Sequence, residues 1–99
     1  MIKVKVTDKV ISIHGHADYD DYGKDIVCAS VSSIVMCSVE AMALFNKDSV
    51  DVDEADGKLD IVINYRDDNI DKLINNMINC LSEIEKKYPK NVKIINREE

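Results

Sequence analysis

The feature that most constrains the fold is the helical spacing of apolar residues in 69–88. Apolar side chains recur there at the i, i+3, i+4 and i+7 positions of one helix face, and polar residues fill the other face. Lys86 and Lys87 suit a helix C-terminus, and Pro89 follows the end. The segment therefore predicts an amphipathic helix that packs one face on another layer.

A second helix is predicted for residues 25–45, which contain neither proline nor glycine. Asp25 precedes the apolar run at the position of an N-cap residue. The apolar residues of this segment cover well over half of the helix circumference, which is more than one buried face requires. We therefore expect this helix to be buried between layers or to be covered in part by a partner.

Residues 2–15 and 49–65 alternate between apolar and polar side chains, which is the pattern of half-buried β-hairpins. In the first hairpin, a two-residue turn would set Val6 opposite Ile11. Ile2, Val4, Val6, Ile11 and Ile13 would then share one face. The alternation thus predicts that one side of this sheet is buried and the other is exposed.

The second hairpin has a turn signal at Asp56-Gly57, but its register is open. A two-residue turn would put Asp53 opposite Asp60, whereas a four-residue loop would put Asp51 there. Either register opposes two like charges, which is unfavourable in a sheet. The pattern alone does not choose between them.

Val92, Ile94 and Ile95 form an apolar cluster that predicts a short final edge strand. The element order β-β-α-β-β-α-(β) predicts an α/β fold of the α+β kind. In this two-layer sandwich, two helices pack on one mostly antiparallel sheet. The chain has 99 residues, so we expect residues 1–99 to form a single domain.

The charge and cysteine content narrow the function. The chain has 19 acidic and 13 basic residues and a net charge of −6, which argues against binding of nucleic acid or an anionic membrane but suits a basic partner. No signal peptide or membrane-spanning apolar run is evident. The three cysteines lack a C-x-x-C pair, so no disulfide framework is expected. We expect a cytoplasmic protein with reduced thiols.

Cys28 and His16 are candidates for nucleophilic chemistry. Cys28 would be the third residue of the first helix, where the helix dipole and free backbone N–H groups favour a thiolate. His16 precedes it by 12 residues, and the loop 17–24 could bring the two together. An imidazole near a thiol can take its proton and later protonate a leaving amine. A buried packing cysteine and a solvent-facing loop histidine are the alternative interpretations.

A metal site is the competing interpretation of the same segment. His14-x-His16 would place two imidazoles on one strand face, and Cys28 or an aspartate of the loop could complete a set. No fourth ligand has convincing spacing, so neither a metal nor a cofactor is expected. Cys37 and Cys80 are interpreted as packing residues.

A longer motif contains both candidate residues. The chain reads Gly-His-Ala at 15–17 and Tyr-Gly-Lys-Asp-Ile-Val-Cys-Ala-Ser-Val-Ser at 22–32. This resembles the signature of Prp, the ribosomal-processing cysteine protease family, in which a Gly-His pair is followed, after a loop, by D-I-V-C-A-A-V-S at the start of a helix. Ser30 departs from the usual alanine, and the first hairpin turn is short. These departures concern fine specificity.

The resemblance implies a thiol protease that acts in ribosome maturation. Members of the family remove a short N-terminal extension from large-ribosomal-subunit protein number twenty-seven, cutting after an aromatic pair and before a small residue, and they act as homodimers. By motif position, Cys28 would be the nucleophile and His16 the general base and then acid. Gly15 and Ser32 would shape the site. Asp25 would cap the helix or, alternatively, orient His16.

Features of the sequence fit this implied function. Backbone N–H groups at the helix start could hold an oxyanion, and a mobile loop 17–24 could close over a peptide. The acidic surface suits a basic ribosomal-protein tail. The first alternative is a non-catalytic, ribosome-associated domain that recognises a basic partner. The second is a His/Cys metal-binding module.

Overall fold

The computed structural model describes residues 1–21 and 24–96 of the chain. Tyr22 and Gly23, which belong to the predicted loop, lie outside the described residues. The described part forms five strands and two helices. In chain order these are β1 (Ile2–Val6), β2 (Val10–His14), α1 (Ile26–Phe45), β3 (Val50–Ala55), β4 (Lys58–Ile63), α2 (Asp68–Lys87) and β5 (Val92–Asn96).

The five strands form one sheet in the order β3-β4-β2-β1-β5. Neighbouring strands are antiparallel except for β1 and β5, which are parallel. Strands β1 and β5 can be parallel because α2 connects the rest of the sheet to β5, and a parallel pair requires such a long crossover connection. The predicted α+β architecture is confirmed, with two helices on a mostly antiparallel sheet and β5 at its edge.

The first hairpin has the predicted register. Val6 lies opposite Ile11, and Val4 lies opposite Ile13. Val4 and Ile11 are fully buried beneath the helices. The alternation of the sequence therefore fixes which face of the sheet belongs to the core.

The second hairpin uses the two-residue turn at Asp56-Gly57, because Ala55 lies opposite Lys58. This register sets Asp53 opposite Asp60, one of the two like-charge pairs that the sequence left open. Asp53 is exposed to water, which weakens the repulsion.

Cations and donors around Asp60 also offset this repulsion. The largest influence is a hydrogen bond from Ser12, which lowers the pKa of the Asp60 carboxyl. The contacts with His14 and Lys58 also lower this pKa, whereas burial raises it. His14 Nε2 lies 3.2 Å from Asp60 Oδ1, and Lys58 Nζ lies 3.5 Å from Asp60 Oδ2. The β2–β4 pairing brings these groups together on the open face of the sheet.

Helix α2 has the predicted amphipathic form, shifted by one residue from the predicted limits. Asp67 is its N-cap and accepts a hydrogen bond from the Ile70 N–H at 2.9 Å. Lys86 and Lys87 lie in its last turn, as expected. Its buried side chains each contribute about 1.5–3 kcal/mol through loss of contact with water. They are Ile70, Ile74, Met77 and Leu81.

Helix α1 packs along α2 and buries only part of its apolar surface. Its length and composition alone would permit it to cross a membrane. Its exposed apolar side chains include Leu44, 89% accessible, and Phe45, 60% accessible. Cys37 is also exposed, so the interpretation of this cysteine as a packing residue is wrong. One apolar stripe of α1 reaches the core, and the remainder faces solvent.

Candidate active site

A cleft of about 680 Å³ opens between the N-terminal half of α1 and the adjoining ends of β2, β3 and β4. Apolar side chains of the sheet and α1 form its floor, and acidic side chains stand among its walls. The structure brings together in this cleft all five residues that the sequence singled out. They are Gly15, His16, Asp25, Cys28 and Ser32.

Asp25 is the N-cap of α1, as the sequence predicted, and it also holds the preceding loop. Its Oδ1 accepts hydrogen bonds from the N–H groups of Val27 at 3.0 Å and Cys28 at 2.9 Å. Its Oδ2 accepts from Tyr19 at 2.9 Å and Asp20 at 3.3 Å. One carboxylate therefore joins the loop to the first turn of the helix.

These four donors determine the charge state of Asp25. Burial raises the pKa of its carboxyl, but the four backbone hydrogen bonds together outweigh burial and bring the pKa below the ordinary value. The side chain is therefore ionised at neutral pH. Since its oxygens are occupied by backbone donors, it serves as helix cap and loop anchor, and among residues 1–21 and 24–96 it has no hydrogen bond to His16.

Cys28 lies in the first turn of α1, where the cap brings its sulfur to the cleft wall. The side chain is half-buried, and Sγ accepts a hydrogen bond from the backbone N–H of Ala17 at 3.3 Å. Ala17 itself is only 1% exposed. The residue after His16 is therefore packed directly against the thiol.

Contrary to the expectation of free N–H groups at the helix start, three of its backbone donors already have acceptors. The N–H groups of Val27 and Cys28 are donated to Asp25 Oδ1, and that of Ala29 is donated to the Asp25 carbonyl. A carboxylate cap satisfies the donors that would otherwise point at substrate. Within the described residues, the backbone donor that reaches the sulfur is Ala17.

His16 follows a sharp bend of the chain at Gly15. Gly15 has φ +97°, a conformation that favours glycine, and a Cβ on it would collide with the Met1 carbonyl. Its N–H donates to the Gly57 carbonyl at 2.8 Å. The bend releases His16 from β2 and directs it into the cleft, where its imidazole lies beside Gly57.

The described part of the loop after His16 is held in place. The Asn91 side chain donates from Nδ2 to the Ala17 carbonyl at 2.9 Å. The Tyr19 ring packs edge-on against Tyr88, with ring centroids 5.2 Å apart. The predicted mobile loop is thus anchored through Ala17 and Tyr19 to the end of α2 and the start of β5.

His14 does not join the cleft. Strand β2 ends at His14, and its Nε2 pairs with Asp60 on the open face of the sheet at 3.2 Å. The interpretation of His14-x-His16 as two imidazoles on one strand face is therefore wrong. Among the residues that the structure describes, no three histidine, cysteine, aspartate or glutamate side chains converge as metal ligands would.

From the sequence, no role in the site was assigned to three residues that contact it. They are Ala17, Gly57 and Asn91. The sequence indicates Gly57 only as part of a turn, and its contact with His16 depends on the sheet register. Ala17 adjoins His16, but its burial was not evident. Asn91 carries no local signal, because its partner lies 74 residues away in the chain.

Comparison with known proteins gives a consistent result. The family model described as cysteine protease Prp matches residues 1–93. The ribosomal processing cysteine protease Prp of Staphylococcus aureus is 33% identical over 93 residues, which cover 91% of this chain and 86% of that protein. The protein of the same name from Mycoplasma genitalium is 37% identical over 54 residues, which cover 54% of this chain and 52% of that protein.

Solved structures agree in fold. The Staphylococcus aureus protease Prp in complex with a covalently linked product peptide has a TM-score of 0.90 at 29% identity, covering 98% of this chain and all of that one. The same protease in complex with a substrate peptide has a TM-score of 0.79 at 28% identity, with the same coverage. The fold described above is therefore one that accommodates a peptide in these relatives.

Proposed function

The chain belongs to the Prp family of cysteine proteases, and from this premise we propose that it is a ribosomal-processing endopeptidase with Cys28 as nucleophile and His16 as general base. The observation that carries the proposal is that Cys28 and His16 line the same cleft, which has a volume of about 680 Å³. Such a space is large enough for several residues of an extended peptide.

The proposed reaction begins with proton transfer. His16 takes the proton of the Cys28 thiol, and the sulfur attacks the scissile carbonyl carbon to form a C–S bond. His16 then returns the proton to the leaving amine as the C–N bond breaks. Water hydrolyses the thioester, releases the new carboxylate and restores the thiol. No metal or cofactor enters these steps.

The oxyanion is assigned to the backbone N–H of Ala17 in this proposal. This donor lies 3.3 Å from Cys28 Sγ, so it is close to the position that the carbonyl oxygen occupies once its carbon bonds to sulfur. The N–H groups of Val27 and Cys28 are already donated to Asp25. Asp25 then acts by fixing the loop and helix relative to each other.

The proposed substrate is the N-terminal extension of large-ribosomal-subunit protein number twenty-seven, cut after an aromatic pair and before a small residue, as the family resemblance implies. The names of the relatives, which specify ribosomal processing, support this assignment. Among the described residues, the lining of the cleft includes one lysine, Lys58, and the acidic residues Asp18, Asp20, Asp25 and Glu54. This charge suits a basic ribosomal-protein segment.

We also propose that the chain acts in the cytoplasm as a homodimer. The exposed apolar residues of α1, chiefly Leu44 and Phe45, supply a surface that a second copy could cover.

The cysteines in the described part of the chain are unpaired thiols, which suits a reducing compartment such as the cytoplasm.

The deciding experiment is cleavage of the ribosomal protein from the same organism, with the products identified by mass spectrometry. We expect one cut that releases the extension, and we expect Cys28→Ala and His16→Ala each to abolish it while circular dichroism stays unchanged. The chain offers matched controls: Cys37→Ala and His14→Ala remove the same side chains outside the cleft. Cleavage that survives in Cys28→Ala would refute the mechanism.

A further inference from the structure

The turn between β3 and β4 forms one side of the site. The β2–β4 ladder ends with His14 opposite Lys58, and one more hydrogen bond continues it, from Gly15 N–H to the Gly57 carbonyl at 2.8 Å. His16 is the next residue after this bond. The turn is therefore attached through the backbone to the segment that bears the histidine.

The imidazole of His16 lies against the bare Cα of Gly57. A Cβ built on Gly57 would be 3.1 Å from His16 Nε2 and 3.7 Å from both Cδ2 and Cε1. The first distance is shorter than an ordinary van der Waals contact between carbon and nitrogen. Because glycine has no side chain, it leaves room at this position for the histidine ring.

Other groups give the ring little support. His16 is exposed to solvent, and among residues 1–21 and 24–96 no side chain donates to or accepts from its imidazole. Asp25, the alternative candidate for orienting the ring, is occupied by four backbone donors. A catalytic base usually requires a third group that orients it, and the contact that the structure provides is the glycine of the turn.

We propose that Gly57 is a positioning residue for His16: the turn, fixed by the Gly15 hydrogen bond, sets the place and orientation of the imidazole relative to Cys28. This inference rests on the proposed function, in which His16 is the base. It gives a glycine outside the Gly-His and Cys motifs a role in the reaction, because a side chain there would move the ring. A misplacement of about 1 Å can cost roughly 100-fold in rate.

The test separates steric displacement from backbone strain. Gly57 has φ +67°, which asparagine tolerates far better than alanine. Gly57→Asn therefore keeps the turn and adds a Cβ, whereas Gly57→Ala adds both the Cβ and strain. We expect Gly57→Asn to lower kcat by about 10- to 100-fold with little change in KM, and to shift the NMR resonances of the His16 ring. Asp56→Asn, in the same turn but outside the cleft lining, is the control and should leave both readouts unchanged.

Measurements on the wild-type protein keep the test independent of whether the variants fold. Nuclear Overhauser contacts between the His16 ring protons and the Gly57 Hα protons are expected, and their absence would overturn the positioning role. So would a wild-type kcat in a folded Gly57→Asn variant. If the wild-type protein fails to cut the ribosomal protein, the proposed function fails on that result, whereas the ring resonances still report whether Gly57 places His16.

Discussion

Asn91 donates a hydrogen bond from its side-chain amide to the carbonyl of Ala17 at 2.9 Å, although the two residues are 74 positions apart. Ala17 in turn donates its N–H to Cys28 Sγ. The connection between α2 and β5 thereby reaches the thiol through one intervening residue. The site depends on a part of the chain that has no catalytic motif.

Replacement of Asn91 tests this connection. In Asn91→Ala the buried Ala17 segment loses its donor, which costs about 1–3 kcal/mol of unfolding free energy. We expect kcat to fall by about tenfold, since the Ala17 N–H is no longer held toward the sulfur. Urea unfolding and peptide cleavage measure the two effects. Asn76→Ala, exposed on α2, is the matched control, and an Asn91→Ala variant with wild-type kcat would contradict the assignment.

Alkylation tests whether Cys28 is activated or merely accessible. Cys37 is exposed and Cys28 is half-buried, so accessibility alone would make Cys37 react first. The Ala17 N–H contacts the Cys28 sulfur, and His16, the proposed base for this thiol, lines the same cleft. We expect iodoacetamide to modify Cys28 before Cys37 and Cys80 near neutral pH, as measured by peptide mass mapping. Faster modification of Cys37 would instead favour the non-catalytic binding domain.

Asp25 should make stability depend on acid pH. Its pKa is lower in the folded protein than the ordinary value, so its stabilising effect is complete above about pH 4 and is lost as the pH falls through the folded pKa. Asp25→Asn loses the charge and one of the two accepting oxygens, so it should cost about 1–2 kcal/mol at pH 7. This deficit should shrink in acid.

Urea unfolding of wild-type protein and Asp25→Asn at several pH values measures this dependence. Asp56→Asn, which removes an exposed carboxylate in the β3–β4 turn, is the control and should show no such change. A deficit for Asp25→Asn that stays constant from pH 7 into acid would show that the charge of Asp25 contributes nothing.

The apolar end of α1 provides a test of self-association. Leu44 is 89% exposed and Phe45 60% exposed, which is unusual for two adjacent large apolar side chains unless a partner covers them. We expect the wild-type protein to sediment as a dimer and Leu44→Lys to sediment as a monomer. Val62→Lys, which adds the same charge to the open face of the sheet, should remain dimeric. A monomeric wild-type protein would exclude this interface.

The sequence alone determined the element order and the buried faces, because these follow from local periodicity. Residues 69–88 could only bury an apolar stripe as a helix, and alternation with a two-residue turn fixed Val6 opposite Ile11. Cys28 and His16 were also accessible to sequence reasoning, since the motif around them is contiguous. Asp25 could be assigned as an N-cap because capping is a local interaction.

Only the tertiary structure decided how these residues meet. It placed Asp53 opposite Asp60, a register that local pairing could not choose. Contacts from a different strand offset the repulsion between the two carboxylates. It also showed that Asp25 accepts from the N–H groups of Val27 and Cys28 and that the Ala17 N–H donates to the sulfur. Gly57 and Asn91 reach the site through strand register and chain crossover, which are non-local interactions, and non-local contacts leave no periodic signal in a sequence.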